Sequence, residues 1–105
     1  MQAEDAIFRA LADPSRRAIF ESLAGGEAAV KELTARFEIS QPAVSQHLAT
    51  LRGAGLVSER REGRLVYYRI EPEGLRPLID WIAHYQAFWL ERFGRLQALL
   101  KEMDE

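Results

Sequence analysis

The feature that most limits how this chain can fold lies toward its end. From about residue 73 to residue 103, apolar side chains recur every three or four positions through Leu78, Ile82, Tyr85, Trp89, Phe93, Leu96 and Leu100, and Leu75, Ile79, Trp81, Phe88 and Leu99 widen the stripe. That spacing predicts one long amphipathic helix, with Pro77 in or near the first turn, where a missing N–H costs nothing. At about 1.5 Å per residue it runs roughly 45 Å, longer than the rest of so small a chain can cover. Part of the stripe is therefore expected to meet another chain.

The remainder divides at clear punctuation. Ile7, Phe8 and Leu11 predict a short first helix ending near Ala12. Asp13 is a good N-cap and Pro14 suits a first turn, so a second helix should start at Pro14, face inward through Ala18, Ile19, Phe20 and Leu23, and stop at Gly25-Gly26. A third runs from about Ala29 to Phe37, with Ala29, Val30, Leu33 and Phe37 at helical spacing. Ser40 then caps a fourth, with Pro42 in its first turn, Val44, Leu48 and Leu51 on one inward stripe, and Gly53 and Gly55 closing it. From Leu56 to Ile70 the period shifts toward two. Val57, Val66, Tyr68 and Ile70 can share one face of a hairpin that turns at Glu62-Gly63 or one residue longer, with Arg60, Arg61 and Arg64 crowded at the tip and Pro72 ending the second strand.

Composition narrows the function classes. With 105 residues and 48% apolar content, a single domain over 1–105 is expected. The absence of cysteine removes disulfides, thiolate metal sites and cysteine nucleophiles together. The acidic start Met1-Gln2-Ala3-Glu4-Asp5 lacks the layout of a secretory signal, and no apolar run reaches the roughly 20 residues that cross a bilayer, so a soluble, cytoplasmic protein without membrane contact is expected. The net charge of −2 argues at first against nucleic acid. Its distribution argues for it: residues 41–70 carry five arginines (Arg52, Arg60, Arg61, Arg64, Arg69) against Glu59 and Glu62, while both flanking segments are acidic.

Those elements make the order helix, turn, helix, wing, with the helix-turn-helix over 30–54 and the wing hairpin over 56–70. The expected fold is mainly α with a small β-hairpin wing (α+β), a winged helix-turn-helix. The exposed faces of the fourth helix carry Gln41, Ser45, Gln46, His47, Thr50 and Arg52 and no carboxylate. An apolar back with amides, hydroxyls and an imidazole in front is what a helix needs to bond base edges and phosphates. Gln41 and Gln46 suit base readout, because an amide both donates and accepts; Ser40, Ser45 and His47 suit phosphates, although a helix histidine beside Leu48 also suits plain packing. Arg64 at the tip suits the minor groove, with a solvated charge as the alternative. Arg60 and Arg61 project to opposite strand faces, so only one should reach DNA. Arg16 and Arg17 are expected to be structural ion partners, and Tyr67 and Tyr68 to pack the strand. The alternative reading is a winged helix that packs only against other proteins, which needs neither a carboxylate-free helix face nor arginines on the wing. An enzyme has no support: there is no cysteine, the two histidines are separated, and no phosphate-cradling glycine loop is present.

Three blocks in this order, FRALADPSRRAIFESL from Phe8 to Leu23, ISQPAVSQHLATLRGAGLV from Ile39 to Val57 and RREGRLVYY from Arg60 to Tyr68, resemble the ArsR/SmtB family of bacterial repressors over most of the chain. The resemblance implies a homodimer through the first and last helices that places two recognition helices in successive major grooves of an inverted-repeat operator, repressing its own or a neighbouring operon. Gln41, Ser45, Gln46 and His47 match the DNA-facing positions, and Arg61 and Arg64 match the wing. The implied dimer surface comprises Phe8 and Leu11 with Ile82, Tyr85, Trp89, Phe93 and Leu96, the last five on the 73–103 helix.

Relatives that sense metal use a cysteine-rich third helix, but here that stretch is Val30-Lys31-Glu32-Leu33-Thr34. Another version needs Asp-x-His on the last helix, where Asp80 is followed by Ile82, with Arg95 and Ala98 at the distal positions. No metal or other cofactor is expected. Asp80 and His84 do share one helical face, either as a hydrogen-bonded pair or as ligands completed across a dimer. The aromatic stripe is read as dimer core, with a small apolar effector pocket as the sharper alternative. The inducer stays open between a small molecule, a protein that sequesters the repressor, and none.

Overall fold

In the computed structural model, which describes residues 3–104, two side-chain caps organise the body. Asp13 accepts the Arg16 N–H at 3.0 Å, and Ser40 Oγ accepts the Ala43 N–H at 3.3 Å, each just before a proline in the first helical turn. They start α2 (Pro14–Ser22) and α4 (Gln41–Gly53) where the sequence places them. Before them comes α1 (Ala3–Ala12); between them lie a 3₁₀ turn (Leu23–Gly25), the two-residue strand β1 (Ala28–Ala29) and α3 (Val30–Phe37). The wing follows as β2 (Val57–Glu62) and β3 (Leu65–Ile70), and α5 (Arg76–Asp104) closes the order.

Arg16 and Arg17 are structural, but their partners are not carboxylates. Arg16 donates to the Ala10 and Arg9 carbonyls and Arg17 to the Leu11 carbonyl, at 2.6, 3.2 and 2.6 Å. These carbonyls belong to the last turn of α1, whose C=O groups have no helical partner, so a guanidinium satisfies them and favours the negative end of the helix dipole. The expected ion pairs are thus replaced by a C-terminal cap that fixes α1 against α2.

The hairpin turns one residue later than expected. Glu62 pairs with Leu65, leaving Gly63-Arg64 as a two-residue loop. Gly63 has φ +62° and Arg64 a negative φ, the pattern of a type II′ turn, whose first central position calls for glycine. Arg64 therefore occupies the turn itself. The face assignment holds, since Val57, Glu59 and Arg61 oppose Ile70, Tyr68 and Val66. A strand that the sequence reading lacked, β1, adds to β3 through Ala28 opposite Tyr68 and Ala29 opposite Tyr67, making an antiparallel sheet in the order β1-β3-β2. Two alanines give no period to detect.

One core joins these pieces. Ile7, Ile19, Leu23, Leu33, Val44, Leu48, Leu51, Leu56 and Val57 are buried together with Tyr68. Leu11, Leu75 and Leu78 pack partly against it. The long helix leaves that core after its first turn, and none of its residues is buried. The molecule measures 68 × 28 × 22 Å, with a radius of gyration of 19.0 Å where a compact chain of this length has about 13 Å. Where α5 departs, Gly74 lies so close to the preceding loop that a Cβ there would collide with the Gly55 carbonyl oxygen and sit 3.0 Å from Leu56 Cα.

Both obstacles are backbone and cannot swing away, so Gly74→Ala is expected to cost about 1–3 kcal/mol in urea unfolding. An unchanged midpoint would show that the α5 junction is not tightly seated.

Candidate nucleic-acid interface

Helix α4 is clamped at its back by Val44, Leu48 and Leu51, each with no exposed surface. Its remaining faces follow from 100° per residue. Gln41, Ser45 and Arg52 lie on the flank toward the wing; Gln46 and Thr50 form the outer crest; His47 lies on the opposite flank. Gln41, Ser45 and Gln46 are exposed, and Thr50 bonds back to the Gln46 carbonyl at 3.2 Å. Ser40 spends a lone pair on its cap, leaving its hydroxyl proton free to donate.

His47 is half-buried, and its Nδ1 is buried with no hydrogen-bond partner. The Asp13 carboxyl lies below its ordinary value of 3.8 chiefly because of the Arg16 N–H, with smaller help from His47.

On the wing flank the predicted residues converge. Gln41, Ser45, Arg61 and Arg64 line one groove of about 460 Å³ with Lys31 at the start of α3, over a floor that includes Leu65, Val66 and Tyr68. Of the other arginines of this region, Arg69 donates to the Ser58 hydroxyl at 3.3 Å, while Arg60 and Arg52 are held by carboxylates. Arg60 makes a two-point contact with Glu27 at 2.6 and 3.1 Å, meets Glu62 at 3.1 Å, and lies over the Tyr67 ring at 4.7 Å. Those bonds hold the Arg60 charge on and draw the Glu27 carboxyl below its ordinary range. Arg52 reaches Glu59 at 2.9 Å, and Glu59 also accepts the Tyr68 hydroxyl at 3.0 Å; burial and then this carboxylate push the Tyr68 phenol up. Among the described residues Lys31, Arg61 and Arg64 make no ion pair. Opposite projection of Arg60 and Arg61 has therefore sorted them, one into the sheet's own network and one into the groove.

Of the predicted DNA-facing residues, the structure brings four into one groove and sets Ser40, Gln46 and His47 on the cap, the crest and the far flank. Lys31 is the residue that sequence reading missed. Its signal was a cation in the first turn of α3, the end where the helix dipole disfavours positive charge.

A family model described as "Bacterial regulatory protein, arsR family" matches residues 13–59, the segment from the α2 cap to the middle of β2. The chain is 34% identical over 79 residues to the transcriptional repressor SdpR of Bacillus subtilis, covering 75% of this chain and 88% of that one. The chain belongs to the ArsR family. It is also 48% identical over 68 residues to the arsenic resistance transcriptional regulator ArsR1 of Pseudomonas putida, spanning 64% of this chain and 53% of that longer relative. A crystal structure of an ArsR family transcriptional regulator, RHA00566, superposes with a TM-score of 0.75 at 34% identity, covering 83% of this chain and 90% of that one. Like its ArsR-family relatives, this chain is a DNA-binding transcriptional regulator and not an enzyme, and the reading in which the winged helix packs only against proteins is not favoured.

The rest of α5 carries the other predicted surfaces. Phe8 is 42% exposed and meets Trp81 edge-on at 5.3 Å; Ile82, Tyr85, Trp89, Phe93 and Leu96 are 41–58% exposed, whereas Leu11 packs partly on its own core. Asp80 and His84 line a shallow recess with Glu4, Trp81 and Tyr85, and the His84 ring stands edge-on to Tyr85 at 4.9 Å. Asp80 and His84 form no hydrogen bond with each other among the described residues, and within this single chain no three described His, Cys, Asp or Glu side chains gather as a metal site. No described helix is long and apolar enough to cross a membrane.

An arginine already shared by two carboxylates has little to offer a phosphate. Arg61→Gln should lower the slope of log K against log salt by about 1 on duplex DNA, while Arg60→Gln leaves it unchanged. Equal effects in a fluorescence-anisotropy titration would contradict this sorting.

Proposed function

We propose that this ArsR-family regulator is a homodimeric repressor that binds an inverted-repeat operator, with α4 in the major groove and the wing at the backbone or minor groove. The observation that carries it is the α4–wing surface: a helix with no carboxylate from Gln41 to Arg52, beside unpaired Arg61 and Arg64, in a chain whose net charge is −2. Gln41 and Gln46 read base edges; Ser40, Ser45, Arg61 and Arg64 hold phosphates or the minor groove. His47, half-buried on the far flank, supplies a further phosphate contact.

The dimer rests on a different physical fact. Isolated exposed apolar residues are ordinary, but α5 carries a continuous row from Ile79 to Met103. A second copy covers it by two-fold pairing, with Phe8 at the edge where α1 meets α5, and sets the two α4 helices about one DNA turn, roughly 34–36 Å, apart. The repressor role follows the printed role of SdpR, with its own or a neighbouring operon as the target.

From a random-sequence duplex pool the protein should select inverted repeats, and Gln41→Ala or Gln46→Ala should each cost about 1–3 kcal/mol at particular base pairs. Selection of no sequence, or losses spread evenly over all sequences, would remove α4 from readout. Trp89→Asp, on a side chain that is 54% exposed in the single chain and so not needed for its core, should lower the dimer dissociation free energy by at least about 2 kcal/mol in sedimentation equilibrium. A variant as dimeric as the parent would place the interface elsewhere.

A further inference from the structure

The groove between α3 and the wing extends beyond helix α4 to residues of α3 and the wing. Its walls come from Lys31 on α3, Gln41 and Ser45 on α4, and Arg61 and Arg64 on the wing, so two of its three sides carry cations. Glu59 also lines it, but that carboxylate is already met by Arg52 at 2.9 Å and the Tyr68 hydroxyl at 3.0 Å. What remains unpaired is positive. Ala29, Val30, Leu65 and Val66 also line it and add apolar surface beside the cations.

We propose that this groove seats the sugar–phosphate backbone of the DNA strand running beside α4, with Lys31 as a phosphate contact on its α3 wall. The inference rests on the DNA-binding reading above and extends it to a residue outside the recognition helix and the wing. The chemistry fits both components of a backbone: phosphate oxygens accept from ammonium and guanidinium groups, and the carbon face of the deoxyribose can lie on the apolar lining residues. The placement of Lys31 points the same way. In the first turn of α3 a cation works against the helix dipole, and among the described residues Lys31 makes no ion pair that would compensate. A phosphate between Lys31 and Arg61 supplies the missing negative charge. Lysine is also suited to this role, as a point charge on a flexible stem that tracks a backbone without selecting a base.

The test uses the full chain and a duplex that it selects from a random pool. Lys31→Gln should lower the log K–log salt slope by about 0.9, so that its deficit against the parent shrinks about threefold between 50 and 200 mM salt. The loss should be the same on the selected duplex and on its single-base variants, and Lys31→Arg should restore the slope. Lys101→Gln, at the far end of α5, should change nothing, and the unfolding midpoint of Lys31→Gln should be no lower than the parent's, because the side chain is exposed and its charge opposes the α3 dipole. An unchanged slope, or a loss confined to one base pair, overturns the backbone contact while leaving recognition by α4 standing. If the parent protein binds no duplex, both fall together.

Discussion

Everything on the DNA-facing side depends on how α4 is held. Val44, Leu48 and Leu51 have no exposed surface, so the helix has one rotational setting and its polar faces have fixed directions. A looser back would let the same glutamines and serines point anywhere. The Ser40 cap and Pro42 fix where the helix begins, and that decides which residues fall on the wing flank and which on the crest.

The second determinant is subtraction of charge. An acidic chain presents a cationic groove because its carboxylates are spent locally: Glu27 and Glu62 hold Arg60, and Glu59 holds Arg52. These exposed pairs contribute little stability. Their effect is positional, since they fix the outer face of the sheet through Arg60 and leave Arg61 and Arg64 as the groove's unpaired wing charges. Counting arginines in 41–70 located the basic region, but only the pairing shows which of them are available.

The sequence was most legible where one residue type has one local consequence. Asp13-Pro14 and Ser40 with Pro42 predicted both capped starts, and the three-or-four-residue spacing predicted α5 and the α4 stripe. It was least legible where the outcome depends on residues distant in sequence. The turn moved to Gly63-Arg64 because a two-residue type II′ loop needs glycine first, and cross-strand pairing then set the register. Ala28–Ala29 became a strand only because β3 offered an edge. Arg16 and Arg17 found carbonyls of α1 rather than carboxylates, and Lys31 came beside the wing by packing of α3 on α4. Each of these is a tertiary meeting that no local pattern encodes.

Helix α5 connects the two halves of the account. It leaves the core after one turn and carries its apolar row into solvent, and in the dimer proposed above the pairing of two such rods sets the geometry of the complex with DNA. Hydroxyl-radical footprinting of a selected duplex, with the protein-to-DNA stoichiometry measured on the same complex, tests this most directly. Two chains should protect two symmetry-related backbone patches whose centres lie about one helical turn apart. A single asymmetric patch, or full protection by one chain, would contradict a dimer that presents paired recognition helices.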